Sequence, residues 1–262
     1  MADDSLKDAV AVLTGSSAGI ALEIACRFAE AGARGVMLNG RGARSDALAT
    51  QAIAAVKARA PACEVGFHTA DATAPAEVGR LIESAIATFG RIDILVNSVG
   101  GGLSPRPFTE TPPAAFTELA HRHLLSTLHG CHAVLPHMIS RGTGVILNMS
   151  SDAGKVATPG ETVIGALKAA VIMFTRTLSL EVSRFGIRTH CITPSIVRST
   201  PNYDRLMADD FSRKLFEKAE ARARLGATTP AHIAELALFL ASPAAANMTG
   251  QVISVNGGIS AA

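Results

Sequence analysis

The feature that most constrains this sequence is a regular alternation of short apolar runs with stretches of helical periodicity. Such alternation predicts an α/β fold with a parallel sheet and helices on both faces, and right-handed crossovers make it a doubly wound sheet. Seven runs predict strands, at residues 10–15, 35–40, 63–69, 92–98, 144–151, 187–193 and 251–257. Six stretches predict helices, near residues 18–31, 43–59, 75–88, 113–140, 161–185 and 230–241.

Composition narrows the classes of protein. At 262 residues the simplest organisation is one domain over residues 1–262, and with a net charge of +2 and no basic run we expect no nucleic-acid partner. No apolar stretch is expected to reach the roughly 18 residues of a membrane span, and the polar start MADDSLKDAV is unlike a secretory signal. The four cysteines have no CxxC spacing, which favours free thiols in a reducing cytoplasm.

A glycine-rich turn lies between the first predicted strand and the first predicted helix. It reads TGSSAGIA over residues 14–21. Gly15 and Gly19 let backbone amides approach a pyrophosphate, and the helix that follows offers its positive N-terminus to it. The turn therefore predicts a phosphate site at the carboxyl end of the first strand of a Rossmann-like sheet.

Further motifs agree with one family. They are Asp71 in HTADAT, NSVG (97–100), NMSS (148–151), Lys168 in GALKAAV, ITPSIV (192–197) and TGQVISVNGG (249–258). Together with the glycine-rich turn, and in this order, they make the chain resemble the short-chain dehydrogenase/reductase family over essentially its full length. The resemblance implies the Rossmann-like fold and a site for a nicotinamide dinucleotide.

The resemblance also implies which residues hold the cofactor. Ser16 and Ile20 would line the phosphates, Asp71 would bond the adenine amino group, and Asn97 with Gly100 would flank the adenosine ribose. Val197 would reach the nicotinamide carboxamide through its backbone, and Ser199 the phosphate side. The full expected set is Gly15, Ser16, Ser17, Gly19, Ile20, Arg41, Asp71, Ala72, Asn97, Gly100, Lys168, Pro194, Val197 and Ser199.

The end of the second strand predicts which nicotinamide cofactor binds. In the family, an acidic residue there bonds the adenosine ribose hydroxyls and selects NAD. This chain has Gly40 at that position, and Arg41 follows. A guanidinium beside a missing carboxylate suits a 2′-phosphate. We therefore expect NADP(H), anchored by Arg41 and by Arg44 as a second candidate.

The catalytic residues that the resemblance implies are incomplete. The family uses a serine, a tyrosine thirteen residues later, a lysine four residues after that, and an asparagine. Ser151 and Lys168 are present, but Ile164 stands where the tyrosine would be. Alignment back from AVLPHM (133–138) puts His123 at the asparagine position, with His121 as a second candidate. The cofactor part of the site is thus retained and the proton-transferring part is altered.

Several residues are candidates for the missing proton donor. Glu161 lies seven residues before Lys168, the offset at which related enoyl reductases carry their tyrosine, and Ile164 beside it would raise its pKa. A glutamate at a helix start can instead merely complement the helix dipole. His123 would donate near neutral pH, since its ordinary pKa is about 6.5. Asp152 and Tyr203, the single tyrosine of the chain, are further candidates.

These observations leave three hypotheses. The first is an NADPH-dependent reductase of an activated C=C, a C=N or a reactive carbonyl, in a small molecule or acyl thioester. Reduction of a ketone forms an alkoxide, which needs a proton from the tyrosine. Reduction of a conjugated C=C forms an enolate, which needs the tyrosine less. The second is a non-catalytic cofactor-binding subunit or partner of an active homologue. The third is an isomerase or dehydratase that uses bound cofactor structurally.

Three further expectations concern single regions of the chain. Residues 199–225 are charged and predict either a substrate lid or a solvated pair of surface helices. In a lid, Arg205, Arg213 and Lys214 would favour an anionic or acyl-carrier substrate. The two longest predicted helices would form a homotetramer interface by resemblance, with a hetero-oligomer containing an active homologue as the alternative. The histidines near residues 121–137 have no accompanying acidic or cysteine ligand set, so we expect no metal site.

Overall fold

The fold centres on one parallel sheet of seven strands. A computed structural model describes residues 4–262, with the side chains of residues 43–46 excepted. All neighbouring strands are parallel, in the order β3-β2-β1-β4-β5-β6-β7. The strands are β1 Val10–Thr14, β2 Gly35–Gly40, β3 Glu64–Thr69, β4 Ile94–Asn97, β5 Gly144–Met149, β6 Ile187–Pro194 and β7 Val252–Val255. The predicted fold class and the number of strands are confirmed.

Helices cover both faces of this sheet. Along β1, Ala11 and Leu13 point into one apolar core while Val10 and Val12 point into another, as the twofold alternation of a strand requires. The first core includes residues of α1 and α9, and the second includes residues of α3, α5 and α6. The helices are α1 Gly19–Glu30, α2 Ala43–Arg59, α3 Pro75–Phe89, α4 Ala115–Ala120, α5 Ser126–Arg141, α6 Thr162–Val182, α7 Pro201–Met207, α8 Asp210–Glu220 and α9 Pro230–Ala241.

Two predicted segments differ in detail. The helix expected over residues 113–140 is interrupted by a π-helical turn at His121–Leu125, which separates α4 from α5. Such turns are frequent at functional sites. Residues 199–225, for which a lid and a pair of surface helices were both open, contain the two helices α7 and α8.

Helix α6 is unusually apolar. The stretch Thr162–Phe185 is long and apolar enough to cross a membrane by length and composition, so the expectation that no stretch meets that test is wrong. The same stretch contributes Val171, Ile172 and Leu178 to the buried core and carries the buried Lys168. A core helix that is packed against a sheet passes the same test of length and composition.

The strand order reverses direction between β1 and β4. The chain builds β1, β2 and β3 outward to one edge and then returns to place β4 on the other side of β1. Loops after β1 and β4 therefore part at the carboxyl ends of these strands and leave a crevice between them. This position in the sheet is where the motifs after β1, β4, β5 and β6 meet.

Candidate functional site

A cavity of about 1010 Å³ opens at this switch point. It runs from the ends of β2 and β3, past the glycine-rich turn, to α6, α7 and α8. Eleven of the predicted cofactor residues line it: Gly15, Ser17, Gly19, Ile20, Arg41, Asp71, Ala72, Gly100, Lys168, Pro194 and Val197. The four predicted catalytic residues, Ser151, Lys168, His123 and Glu161, line the same cavity. We call this cavity the cleft.

The glycine-rich turn leaves the start of α1 open to the cleft. Gly15 and Gly19 both have φ of +66°, a left-handed conformation that favours glycine. Ala18 occupies the N-cap position of α1, where no side chain caps the first amides. Because Gly19 and Ile20 line the cleft, the first turn of α1 is available to an anionic group. These features fit the phosphates of a dinucleotide.

Three predicted contacts need correction, because Ser16, Asn97 and Ser199 lie outside the cleft lining. The Ser16 hydroxyl is buried, donating to the Leu13 carbonyl at 2.7 Å and accepting from the Asn39 amide at 2.8 Å. The Asn97 amide donates to Asn148 Oδ1 at 2.9 Å inside the protein. Ser199 is exposed. The Ser16 and Asn97 side chains therefore point into the protein, where they bond neighbouring strand ends.

The adenine end of the cleft contains an ion pair. Arg41 Nη1 lies 3.2 Å from Asp71 Oδ2. Burial raises the pKa of the Asp71 carboxyl, but hydrogen bonds from the Thr73 backbone and hydroxyl and from Arg41 outweigh burial and lower this pKa below its ordinary value. Gly40 presents no carboxylate here, and the Arg44 side chain lies outside the described residues. Arg41 is therefore the described cation at the end of β2.

The Ser151 and Lys168 side chains are fixed by contacts between the end of β5 and α6. Lys168 Nζ donates to the Met149 carbonyl at 3.2 Å, and the Ser150 hydroxyl donates to the Lys168 carbonyl at 2.8 Å. The Ser151 hydroxyl oxygen accepts from the Ala153 amide at 3.2 Å, which leaves its own proton for another acceptor.

A close backbone approach holds this arrangement. A Cβ on Gly154 would lie 2.7 Å from the Lys168 carbonyl carbon. Only glycine therefore lets the turn Asp152–Gly154 pack directly on α6. Burial lowers the pKa of Lys168 to about 8, against the opposing effects of Cys191 and Glu161.

Glu161 faces the cleft from the start of α6. It is the N-cap residue, but its carboxyl makes no capping hydrogen bond. Burial raises its pKa to about 7, against the opposing charge of Lys168. The residue as a whole is half-buried because it borders the open cleft. A raised pKa favours the protonated carboxyl, which is the form that can donate a proton.

His123 lies on the π-helical turn and is buried. Its Nε2 is 2.9 Å from the Gly101 carbonyl, while Nδ1 is buried without a hydrogen-bond partner. Burial and then the charge of Lys168 lower its pKa to about 3, despite the bond to Gly101. The expectation that His123 is charged and donates a proton near neutral pH is therefore corrected. At that pH it is a neutral imidazole.

The other candidate donors are engaged elsewhere. Asp152 is buried, and its carboxylate accepts hydrogen bonds from Ser254, Asn256 and Ser260 of the chain's last segment. Tyr203 lies on α7, where its hydroxyl interacts with the ion pair between Arg198 and Glu220. His121 is not among the residues that line the cleft.

Among residues 4–262, no group of three or more potential ligand side chains could hold a metal ion.

Some cleft residues were not predicted from the sequence. The distal wall combines apolar and charged side chains from α7, α8 and the loop after β4, and the C-terminal segment closes one side through Ile259 and Ser260. The sequence carries one signal for α8, the helical spacing of Leu215 and Ala219 among charged residues. It carries none for the C-terminal segment, because the bonds to Asp152 span more than 100 positions of the chain.

A doubly wound parallel sheet, an open helix N-terminus at its switch point and a buried lysine beside a serine define a dinucleotide-binding oxidoreductase of the α/β class. Comparisons with known proteins agree with this class. The family model described as enoyl-(acyl carrier protein) reductase matches residues 15–260. The chain belongs to the short-chain dehydrogenase/reductase family, whose members bind a nicotinamide cofactor.

Relatives of known sequence cover almost the whole chain. The 7alpha-hydroxysteroid dehydrogenase of Escherichia coli K12 is 34% identical over 248 residues, which are 95% of this chain and 92% of that protein. The 3-oxoacyl-(acyl-carrier-protein) reductase of Chlamydia trachomatis is 32% identical over 97% of this chain and 98% of its own length.

Solved structures show the same fold. Levodione reductase has a TM-score of 0.88 at 27% identity, with 97% of this chain and 98% of that chain covered. The 3-ketoacyl-(acyl-carrier-protein) reductase of Brucella melitensis, solved in complex with NADH, has a TM-score of 0.85 at 27% identity. The match covers 98% of this chain and 100% of that chain. The chain is thus an oxidoreductase of this family.

Proposed function

We propose that this protein is an NADP(H)-dependent reductase whose substrate carries an activated C=C, a C=N or an unusually reactive carbonyl, in a small molecule or an acyl thioester. One observation carries the proposal. Glu161, with a pKa near 7, shares the cleft with Lys168 and Ser151, while an isoleucine occupies the helical turn between Glu161 and Lys168. A retained lysine and serine with a titratable carboxyl fit a reductase whose proton donor has changed.

Each polar side chain has a distinct task in this proposal. The bound nicotinamide supplies the hydride. Lys168 holds the cofactor ribose, and the Ser151 hydroxyl donates a hydrogen bond to the substrate oxygen. With an activated C=C, hydride addition at the far carbon leaves an enolate, which Ser151 stabilises. The Glu161 carboxyl then delivers its proton to that enolate and is reprotonated from solvent.

The altered donor separates this chain from its relatives in expected substrate. The names of two relatives indicate a hydroxysteroid and a 3-oxoacyl thioester. An alkoxide formed from an ordinary ketone needs a proton at once, whereas an enolate is stabilised by delocalisation. Without a tyrosine on α6, we expect conjugated substrates to be reduced faster than simple ketones.

The proposed preference for NADP(H) rests on Arg41. Its guanidinium lies at the end of β2 beside the cleft, and its partner there is Asp71. A 2′-phosphate offers a guanidinium more negative charge and more acceptor oxygens than one carboxylate does. Arg41 would then leave or share Asp71 when the cofactor binds.

Oligomeric state and location are part of the same proposal. Met173 and Leu180, seven residues apart on α6, are 59% and 79% exposed. Large apolar side chains on one helical face suit a subunit interface, which supports a homotetramer. Light scattering during size-exclusion chromatography tests the homotetramer, and a monomer would reject it.

The four free, buried cysteines suit the reducing cytoplasm.

The deciding experiment is turnover with a substrate panel. Purified protein is mixed with NADPH and with an enone, a dienoyl thioester, an imine, a quinone and a simple ketone. Oxidation of NADPH by a conjugated or otherwise activated member, faster than by the ketone, is expected. No turnover with any member, together with tight NADPH binding, would replace the proposal with a non-catalytic cofactor-binding subunit. An Ile164→Tyr variant should gain ketone reduction.

A further inference from the structure

Helix α8 turns a row of positive side chains toward the cleft. Lys214, Lys218 and Arg222 all line it. Lys214 and Lys218 are four residues apart on one face of α8, about 6 Å along its axis, and Arg222 follows four residues later. Arg222 lies just beyond the end of α8, in a turn. We call these three residues the cationic row.

The topology places the cationic row at the substrate side of the cleft. At the start of α8, the Ser212 hydroxyl bonds the Pro105 carbonyl, in the loop after β4. Beyond its end, the Leu225 amide donates to the Gly257 carbonyl, just after β7. The adenine end lies instead at β2 and β3, on the opposite side of the switch point. The row is therefore remote from the expected adenosine phosphate.

Other cations that line the cleft already have partners. Arg41 pairs with Asp71, and Arg122 pairs with Glu118. The Arg205 guanidinium bonds the Gly102 carbonyl and Asn202. The second lid arginine named from the sequence, Arg213, is paired with Asp210 and does not line the cleft.

The cationic row differs from these side chains in charge balance. None of the ion pairs in the described part of the chain includes Lys214, Lys218 or Arg222. The carboxylate nearest the end of α8, Glu220, pairs with Arg198. The acids that line the cleft are Asp71, Asp152 and Glu161, and the first two are engaged as described above. The row therefore gives this wall an excess of positive charge.

Apolar side chains line the cleft together with the cationic row and the reacting residues. Phe211, Leu215 and Phe216 of α8 line the cleft, as does Ile164 of α6. A ligand that reaches from Glu161 to α8 would therefore meet both apolar side chains and positive charge. This combination of surfaces suits a molecule with an apolar body and an anionic group.

We propose that the cationic row binds an anionic group of the substrate, a phosphate or a carboxylate, at a distance from the reacting double bond. The row then determines specificity and does not take part in proton transfer. This inference rests on the proposed function only in that the substrate occupies the cleft. Its test is binding without turnover, so the two proposals fail separately.

The test compares charged ligands with neutral partners that carry the same apolar group. Isothermal titration calorimetry is carried out on full-length protein saturated with NADP⁺. One pair of ligands is 4-phenylbutyrate and its neutral amide, which tests a carboxylate. The other is hexanoyl-coenzyme A and hexanoyl-N-acetylcysteamine, which tests phosphates. We expect the charged member of at least one pair to bind about tenfold or more tightly than its neutral partner at low salt.

Two triple variants assign that advantage to a surface. In K214Q/K218Q/R222Q the advantage should fall to about twofold or less. The matched control K57Q/R80Q/R224Q removes the same charge from residues outside the cleft lining and should keep it. Thermal unfolding and NADP⁺ affinity verify that both variants fold. Should the first triple variant fail to fold, K218Q alone is used, and in it the binding advantage of the charged ligand should fall by about threefold.

Two results would overturn the inference. One is equal binding of the charged and neutral members in both pairs. The other is a charge advantage that persists when the cationic row is neutralised, since the anion would then be held elsewhere in the cleft. A charge advantage that is lost with the row, in a protein that oxidises NADPH with no substrate, would support this site while rejecting the proposed reductase.

Discussion

The two ends of the cleft are built from different parts of the chain. At the cofactor end, backbone turns after β1 and β2 make the site, and the Ser16 hydroxyl is turned inward, where it accepts a hydrogen bond from the Asn39 backbone amide. At the reacting end, side chains of α6 and the π-helical turn make the site, and His123 Nδ1 has no partner. Chemistry at the second end can therefore change by substitution while the fold and the first end persist.

Removing Lys168 should produce the largest effect, because this side chain belongs to both ends. Its cation is fixed by the Met149 carbonyl and lies beside Glu161 and His123. We expect Lys168→Ala to lower kcat/KM by about a thousandfold with the best panel substrate. Stopped-flow oxidation of NADPH measures this. Substitution of the exposed Lys57 by alanine is the control. If Lys168→Ala lowers kcat/KM by less than about tenfold, Lys168 does not act at the reacting end.

The next effect tests whether the reacting end uses a carboxyl. Glu161→Gln keeps the size of the side chain but cannot transfer a proton. We expect kcat to fall by about a hundredfold while NADPH affinity changes little. The exposed Glu83→Gln on α3 should leave kcat unchanged. A Glu161→Gln enzyme with undiminished kcat would move the proton source to solvent.

A smaller effect is expected at the cofactor end. Arg41→Ala should weaken NADPH binding by about tenfold and leave NADH binding nearly unchanged, because a 2′-phosphate is the group that the guanidinium would bond. Titration with each cofactor checks this, with Arg80→Ala as the control. Tighter binding of NADH than of NADPH by the unmodified protein would assign the chain to NAD instead.

The smallest effect is expected at His123. Because burial keeps its pKa near 3, the imidazole is neutral at pH 7 and transfers no proton as an imidazolium. His123→Asn retains a donor for the Gly101 carbonyl, so we expect kcat to change by about threefold or less. A hundredfold loss, comparable with that of Glu161→Gln, would show that both residues share the proton path.

The sequence predicted the fold well because the information is local. Apolar runs fixed each strand to within a few residues, and the helices over 43–59 and 230–241 have the predicted bounds. The interruption at His121–Leu125 was not predictable, since the residues on both sides remain helical and no proline or glycine marks the turn.

The candidate site was predicted less evenly. Motifs located the cleft, because backbone turns at strand ends carry recognisable glycines. They did not show that Ser16 and Asn97 face inward, since a motif gives position and not side-chain direction. The pKa values of Glu161 and His123 depend on burial and on Lys168, which are properties of the packed structure. The sequence alone therefore could not show which of these two side chains carries a proton near pH 7.

The central claim is that Glu161 replaces the missing tyrosine as the proton donor, and the pH dependence of the reaction tests it most directly. Since the pKa of Glu161 is raised to about 7, the protonated form is present below that pH and is lost above it. In single-turnover reduction of the best conjugated substrate, the rate should fall as pH rises through 7, and Glu161→Gln should be slow with no such fall. Coincident pH profiles for the two proteins would contradict the account.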